Sequence, residues 1–503
     1  MFSSNLMRRF STKNISKQQQ YLSPTIYALS TAPARAAIGV IRISGPSCGK
    51  IFTQLTGSTK LPKHRLATVR KIYDDTISSV GKDQTGRLLL DEPLILYFQS
   101  PRSYTGEDLL ELHLHGGTAV INKVMETISK FHMANAPVRL AEPGEFSKRA
   151  FQNQRFDLTE VEGINTLIHA ETEMQRISAL SSVKGETNVL FNEWRDRILK
   201  NIALLTTVID FGEDHDIEEI NELFQSVGND VSKLDDEIRK YVSKIKRSQV
   251  LLEGIKLTLI GPPNAGKSSL LNILAQEDKA IVSSIAGTTR DAMEVPLDIS
   301  GYKVIVGDTA GIRRSSDVIE NEGIRRAKKK SLTSDINIVL LPADDDKIDP
   351  SFLSHASNVI SDKKMLSYVI VNKVDLIDDA TKQSLPERLS QKLKIPRDRI
   401  KLISCTTQCG IEELIQDLTN RFKEITSTEI ADPVTISNRA REILINDILY
   451  GFSEFRKFKD ADDIVMASEA LRCSVDGIGK ITGEAIGVEE ILGVVFSKFC
   501  IGK

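Results

Sequence analysis

Read in order, four short segments hold the residue types needed to grip and split a nucleoside triphosphate: Gly261-Pro262-Pro263-Asn264-Ala265-Gly266-Lys267-Ser268, Thr288-Thr289, Asp308-Thr309-Ala310-Gly311 and Asn372-Lys373-Val374-Asp375. In the first, a tight glycine turn ahead of a helix aims backbone N–H groups and the positive helix end at the phosphates. Asn264, Ala265, Gly266, Lys267, Ser268 and Ser269 are the expected contacts, with Lys267 reaching the outer phosphates and the Ser268 hydroxyl binding magnesium. Thr288 and Thr289 follow, and Thr289 is the choice for sensing the third phosphate and completing the magnesium shell. Asp308 brings a carboxylate near the metal; with Thr309 and Ala310 it leads to Gly311, which lets the backbone approach the terminal phosphate.

The fourth segment selects the base. The Asp375 carboxylate accepts from both the ring N–H and the exocyclic amine of guanine, whereas adenine would leave it unpaired, which is costly in a site. Asn372 and Lys373 are further expected contacts of this segment, and Ser404-Cys405-Thr406 supplies the last base contact. The ordered set implies a guanine-nucleotide hydrolase. Ras-type hydrolases orient the attacking water with a glutamine near the Asp308 turn, but Ile312 stands here and cannot. Arg290, Arg313 and Arg314 lie nearby and read as solvated charges.

These residues need elements to hold them. Ile255 to Ile260 reads as a buried strand, Ser268 to Ala275 as a helix, and Val304–Val306, Val369–Val371 and Ile400–Ile403 as further strands. Ligands of open α/β sheets gather at the carboxyl ends of such strands. At 503 residues the chain has room for about three domains. A net charge of −2 argues against a globally basic nucleic-acid wrapper. The five cysteines have no strong metal-ligand spacing and read as reduced thiols, and no apolar run is long enough to span a membrane. Residues 1–23 carry Arg8, Arg9, Lys13 and Lys17 among serines and no acid, which reads as a mitochondrial transit peptide.

Residues 24–142 pattern as a compact α+β domain, with strands expected over Thr25–Ser44, Leu88–Phe98 and Leu109–Leu114. Helical periodicity covers residues 143–250, including Leu158–Ser181, Val189–Val208 and Val231–Ile245. It returns over 425–503 in Ser437–Ser453, Ile464–Cys473 and Ile478–Phe499. The expected architecture is a Ras-like α/β phosphate-loop GTPase domain, residues 251–424, inserted into an all-helical domain and preceded by the α+β domain.

The flanks carry Ile38-Gly39-Val40-Ile41-Arg42-Ile43-Ser44-Gly45, Tyr104-Thr105-Gly106-Glu107-Asp108, His115-Gly116-Gly117, Pro143-Gly144-Glu145-Phe146-Ser147 and the ending Phe499-Cys500-Ile501-Gly502-Lys503. With the nucleotide set, these make the chain resemble the MnmE/TrmE family of tRNA-modifying GTPases from Thr25 to Lys503, in a fungal-type mitochondrial form. The resemblance implies a homodimer held by the N-terminal domains, which bind a 5-formyl or methylene tetrahydrofolate. It implies a flavoprotein partner of the MnmG/GidA type, the source of FAD, and mitochondrial tRNA as substrate in the matrix. The expected product is a carboxymethylaminomethyl-type group on the fifth ring carbon of the wobble uridine.

By the same resemblance Arg42, Glu111, Arg155 and Lys503 fall on folate-contacting positions, Arg155 where lysine is common. Arg42, Arg155 and Lys503 would meet the carboxylates of a glutamate tail, while Glu111 would accept from pterin N–H groups as Asp375 does from guanine. Asn264, Ser283, Ile285 and Thr288 match the family's potassium positions, with Ser283 where threonine is expected, and Glu320 matches its water-orienting glutamate. Ser283 thereby joins the GTP contacts, and Glu320, Lys267 and Thr289 form the expected catalytic set. Cys500 reads as a packing residue of the tail, and the acidic run Glu213 to Glu219 as a solvated loop. A ribosome-assembly GTPase switch shares the nucleotide motifs and is the alternative reading.

Overall fold

The computed structural model describes residues 24–74, 87–131, 137–211, 217–262, 264–277, 294–307, 334–343, 352, 356–357, 360, 366–426, 436–484, 492, 495–497, 499 and 501–502. The chain divides into two compact units, one formed by residues up to 162 together with 476 onward, the other by 163–475.

The first unit is built on a six-stranded sheet. Its strands are β1 (Thr25–Leu29), β2 (Ile38–Ser44), β3 (Thr68–Val69), β6 (Leu94–Phe98), β7 (Leu109–His115) and β8 (Val138–Leu140), ordered β3-β6-β7-β2-β1-β8. Only the β1–β8 pair is parallel. β4 (Ile72–Asp74) and β5 (Leu88–Asp91) form a separate ribbon. Alternation along β2 and β7 sends Ile41, Ile43, Leu110, Leu112 and Leu114 to one face, where they pack with α1 (Cys48–Thr56) and α2 (Thr118–Ser129). Phe52 and Ile51 from α1 and Val124 from α2 are essentially fully buried there, each side chain contributing roughly 1.5–3 kcal/mol. The same alternation leaves Arg42, Glu111 and His113 on the opposite face. There a smaller cluster of Ile26, Ala28, Ala141 and Phe146 seats α3 (Glu145–Gln152).

The unit is completed from the far end of the chain. Leu158 and Val161, at the start of α4 (Leu158–Ile168), pack with Leu492, Val495, Phe496 and Phe499. Gly144 makes this approach possible: its φ is 69°, and a Cβ there would stand 2.5 Å from the Phe496 carbonyl oxygen.

The second unit contains α5 (Glu173–Val183), α6 (Glu186–Phe211) and the 37-residue α7 (Ile217–Glu253), which leads directly into β9 (Ile255–Ile260). Phe191, Trp194 and Tyr241 interlock α6 and α7 through edge-on and tilted ring contacts. The sheet runs β10-β11-β9-β12-β13-β14, with β10 (Glu294–Ile299), β11 (Tyr302–Gly307), β12 (Ile336–Pro342), β13 (Leu366–Asn372) and β14 (Ile400–Leu402). It is parallel except for β10. Covered on both faces, its central strands are mostly apolar, as buried parallel strands tend to be. α8 (Lys267–Glu277), α9 (Asp379–Leu393) and α10 (Ile411–Thr426) belong to this sheet, and α11 (Asn438–Ile443), α12 (Tyr450–Asp460) and α13 (Ile464–Thr482) follow.

The α/β and α+β layers and the flanking helices agree with the expected fold class. Three segments differ from their expected extents. Leu158–Ser181 is two helices, because Thr172 and Gln175 form a capping box that starts α5 afresh. Leu88–Phe98 is two strands separated at Glu92-Pro93, where proline lacks the N–H a ladder needs. Ile464 to Thr482 is one helix, ending before Gly483 at φ 90°. No described helix is long and apolar enough to cross a membrane.

Candidate functional site

In the second unit the glycine loop leaves β9 at the carboxyl end of the strand and enters α8 at Lys267. β9 lies between β11 and β12, where the strand order reverses, the usual place for a ligand crevice. Asn264 has a φ of 60° and Gly266 of 96°. A Cβ on Gly266 would collide with the Asn372 side-chain amide, so the loop is closed against the base-binding segment with room for glycine alone. The Lys267 ammonium donates to the carbonyls of Gly261 (2.6 Å) and Pro262 (2.9 Å). Burial pulls its pKa below the ordinary lysine value. Such an ammonium gains from a phosphate partner. Ser268 and Ser269 are exposed at the start of α8.

Asn372 joins the two ends of the pocket. Its Nδ2 donates to the Ala265 carbonyl (2.9 Å), and its Oδ1 accepts from the Cys405 N–H (3.1 Å). Lys373 takes a left-handed backbone, φ 67°, which turns the chain so that Asp375 is exposed. The Ser404 hydroxyl, fully buried, donates to Asp375 Oδ1 at 2.5 Å and accepts from the Thr407 N–H at 3.1 Å. The carboxylate is thereby oriented with its other oxygen available. Burial raises the Cys405 thiol, the Asn372 hydrogen bond opposes this and the Asp375 charge adds to it, so Cys405 is a neutral wall of the pocket. Thr406 is exposed beside it. The structure thus brings Asn264 to Lys267 together with Asn372, Asp375, Ser404 and Cys405. Ser283, Ile285, Thr288, Thr289, Asp308, Thr309, Ala310, Gly311 and Glu320 lie outside the described residues.

In the first unit the register pairs Arg42 of β2 directly with Glu111 of β7. Arg42 Nε and Nη2 both stand 3.0 Å from Glu111 Oε1. The guanidinium also lies over the rings of Tyr104 (5.2 Å) and Phe146 (5.8 Å), which fix its plane. Arg42 and Glu111 therefore stand in contact, side by side on one face of the sheet. Arg155 is exposed on the turn after α3 and packs beside Gly106. Lys503 and Cys500 fall outside the described residues, as do 1–23. Gly502 is described: its carbonyl accepts from the Ser30 hydroxyl at 2.9 Å, next to the end of β1.

Several residues in the quoted motifs gain structural partners that the sequence reading left unassigned. Arg149 donates to Glu107 Oε2 (2.9 Å) and Glu145 Oε1 (3.0 Å), and Arg139 grips both oxygens of Glu145 (2.8 and 2.7 Å). Ser44 donates to Glu107, and the Tyr104 hydroxyl meets Ser147. Burial alone would raise the Glu145 carboxyl, but Arg139, the Glu142 N–H and Arg149 hold it below the ordinary value. The signal was present in the sequence as Gly-Glu-Asp and Gly-Glu-Phe-Ser, but which acid meets which arginine depends on the tertiary fold.

The family model described as GTP-binding protein TrmE N-terminus matches residues 25–155, and the MnmE helical domain model matches residues 158–500. The chain is 47% identical over 512 residues, 99% of its length and 96% of the relative's, to the mitochondrial tRNA modification GTPase MSS1 of Saccharomyces cerevisiae. This chain belongs to the MnmE/TrmE family of tRNA modification GTPases. Similarity extends to the tRNA modification GTPase MnmE of Rickettsia akari, 40% identical over 95% of this chain and 100% of that protein. The mitochondrial 5-taurinomethyluridine tRNA synthase subunit GTPB3 of Danio rerio is 36% identical over 95% of this chain and 93% of its own. The MnmE/TrmE helical model runs across the nucleotide sheet, so the GTPase strands are inserted in the helical domain's sequence.

Proposed function

We propose that this chain is the GTP-hydrolysing component of mitochondrial tRNA wobble-uridine modification, acting in the matrix. It works as a homodimer with an FAD-dependent partner of the MnmG/GidA type and takes the carbon it delivers from a 5-formyl or methylene tetrahydrofolate. The observation that carries the reading is 47% identity to a mitochondrial tRNA modification GTPase over 99% of this chain and 96% of that relative. The proposed domains are 1–23 as transit peptide, 24–142 for folate and dimerisation, 251–424 for GTP, and 143–250 with 425–503 as the helical part.

Within the nucleotide pocket each residue has a task. Gly266 and Ala265 bring backbone N–H groups to the phosphates, Lys267 exchanges its loop carbonyls for phosphate oxygens, and Asp375, aimed by Ser404, reads guanine. Bound magnesium would neutralise phosphate charge, with Ser268 and Thr289 as its ligands. Potassium would supply the positive charge that an arginine gives other GTPases, and Asn264, exposed and in a left-handed conformation, has a side-chain oxygen suited to it. Glu320 orients the attacking water. In the first unit, the Glu111 carboxylate and the Arg42 guanidinium fit the amino and oxo edge of a pterin, and Arg155 with Lys503 the acidic tail.

Nucleosides from mitochondrial tRNA of cells lacking this chain, weighed by mass spectrometry, should have lost the substituted wobble uridine. An intact modification overturns the reading. The mass of the lost nucleoside separates a carboxymethylaminomethyl group from the taurinomethyl group in the Danio rerio relative's name. Slower turnover in sodium than in potassium supports the ion's role, and equal rates remove it.

A further inference from the structure

Beside the Arg42–Glu111 pair stands a third polar side chain. His113 follows Glu111 by two residues on β7, so the strand's alternation puts both on the same face of the sheet. Its Nε2 lies 3.6 Å from Glu111 Oε2, too far for a hydrogen bond, and this nitrogen is buried with no hydrogen-bond partner among the described residues. Native proteins seldom leave a buried ring nitrogen unmet, because the lost hydrogen bond to water has no replacement. The other carboxylate oxygen, Oε1, is already held by Arg42. What remains is a pair of atoms, Glu111 Oε2 and His113 Nε2, close together and each able to accept.

The geometry points to His113 as a ligand-binding residue that, with Glu111, receives two neighbouring N–H groups on one edge of a flat heterocycle. In this arrangement Glu111 Oε2 accepts from the ring N–H, and His113 Nε2, with its proton on Nδ1, accepts from the adjacent exocyclic amine. Arg42 holds the carboxylate in plane through Oε1, and is itself held flat by Tyr104 and Phe146. A 2-amino-4-oxo pterin presents that donor pair. The inference rests on the folate reading and deepens it, assigning the amino edge of the ring to β7.

The test measures binding of 5-formyltetrahydrofolate and of its 2-desamino-2-methyl analogue to the full chain by titration calorimetry. His113→Leu should weaken the natural compound about tenfold, the effect of one lost hydrogen bond, while binding the analogue as the unaltered protein does. His113→Gln, whose amide oxygen can accept, should restore most of the affinity. GTP hydrolysis should be unchanged in both, which excludes a general loss of folding. Unaltered affinity in His113→Leu overturns the role of His113 alone. An equal loss for both compounds also overturns it, because the contact would then not be to the amine. Failure of the unaltered chain to bind the natural compound overturns the folate reading together with this one.

Discussion

The nucleotide end of the second unit and the polar face of the first are assembled by different means. Among the described residues the first is mostly backbone: a turn at Asn264–Gly266, a helix start at Lys267, and the Asn372 side chain tying the loop to the base-reading segment. The second is almost all side chain. Arg42, Glu111 and His113 come together because β2 and β7 pair in one register, and the ionic lattice of Arg139, Glu145, Arg149 and Glu107 fastens α3 beneath them. Local sequence dictates a backbone site, so it survives changes elsewhere in the domain. A register-built site depends on every contact that keeps the strands aligned.

That contrast can be broken experimentally. The largest effect is expected from Arg149→Ala, which leaves the largely buried Glu107 without its arginine and Glu145 with Arg139 alone and should cost about 3–5 kcal/mol in urea unfolding, with GTP affinity kept. If GTP binding collapses as well, the two sites are not independently built. Gly266→Ala should do the reverse: a side chain at φ 96°, pressed on Asn372, should lower nucleotide affinity about a hundredfold and leave the unfolding of the first unit alone. Ser404→Ala removes the donor that aims Asp375 and the acceptor that meets the Thr407 N–H. GDP affinity measured by fluorescence should drop about tenfold, and no drop would mean that Lys373 and the turn orient Asp375 unaided.

The smallest effect concerns acid. The folded Glu145 carboxyl is held below its unfolded value, so its stabilisation is complete above the ordinary carboxylate range and fades as pH falls through the lower folded value. Proteolysis of the first unit should therefore quicken on acidification, and Arg139→Ala should blunt that dependence. A dependence unchanged in the variant would assign the acid sensitivity to other carboxylates.

The same contrast explains how much could be read in advance. The glycine loop, Lys267 and Asp375 were legible because their geometry follows from near neighbours in sequence. Arg42 and Glu111 are separated by 69 residues, and only the family resemblance marked them as partners in a site. Nothing local predicts that they meet at 3.0 Å. His113 escaped notice because in a strand pattern a histidine next to apolar residues is ordinary. The break at Thr172 was legible as a Thr-x-x-Gln box, but the long apolar periodicity around it masked the signal.

The bond between Ser30 and Gly502 spans 472 positions of sequence, and the aromatic packing of Phe496 and Phe499 against Leu158 spans more than three hundred. As the polypeptide emerges from a ribosome or threads through a translocation pore, the second unit is delivered whole before those closing residues arrive. The first unit must therefore wait half-built, its apolar floor uncovered, until the last segment is released. Birth order and assembly order are inverted in this molecule, which makes its earliest-made part the one most in need of a chaperone.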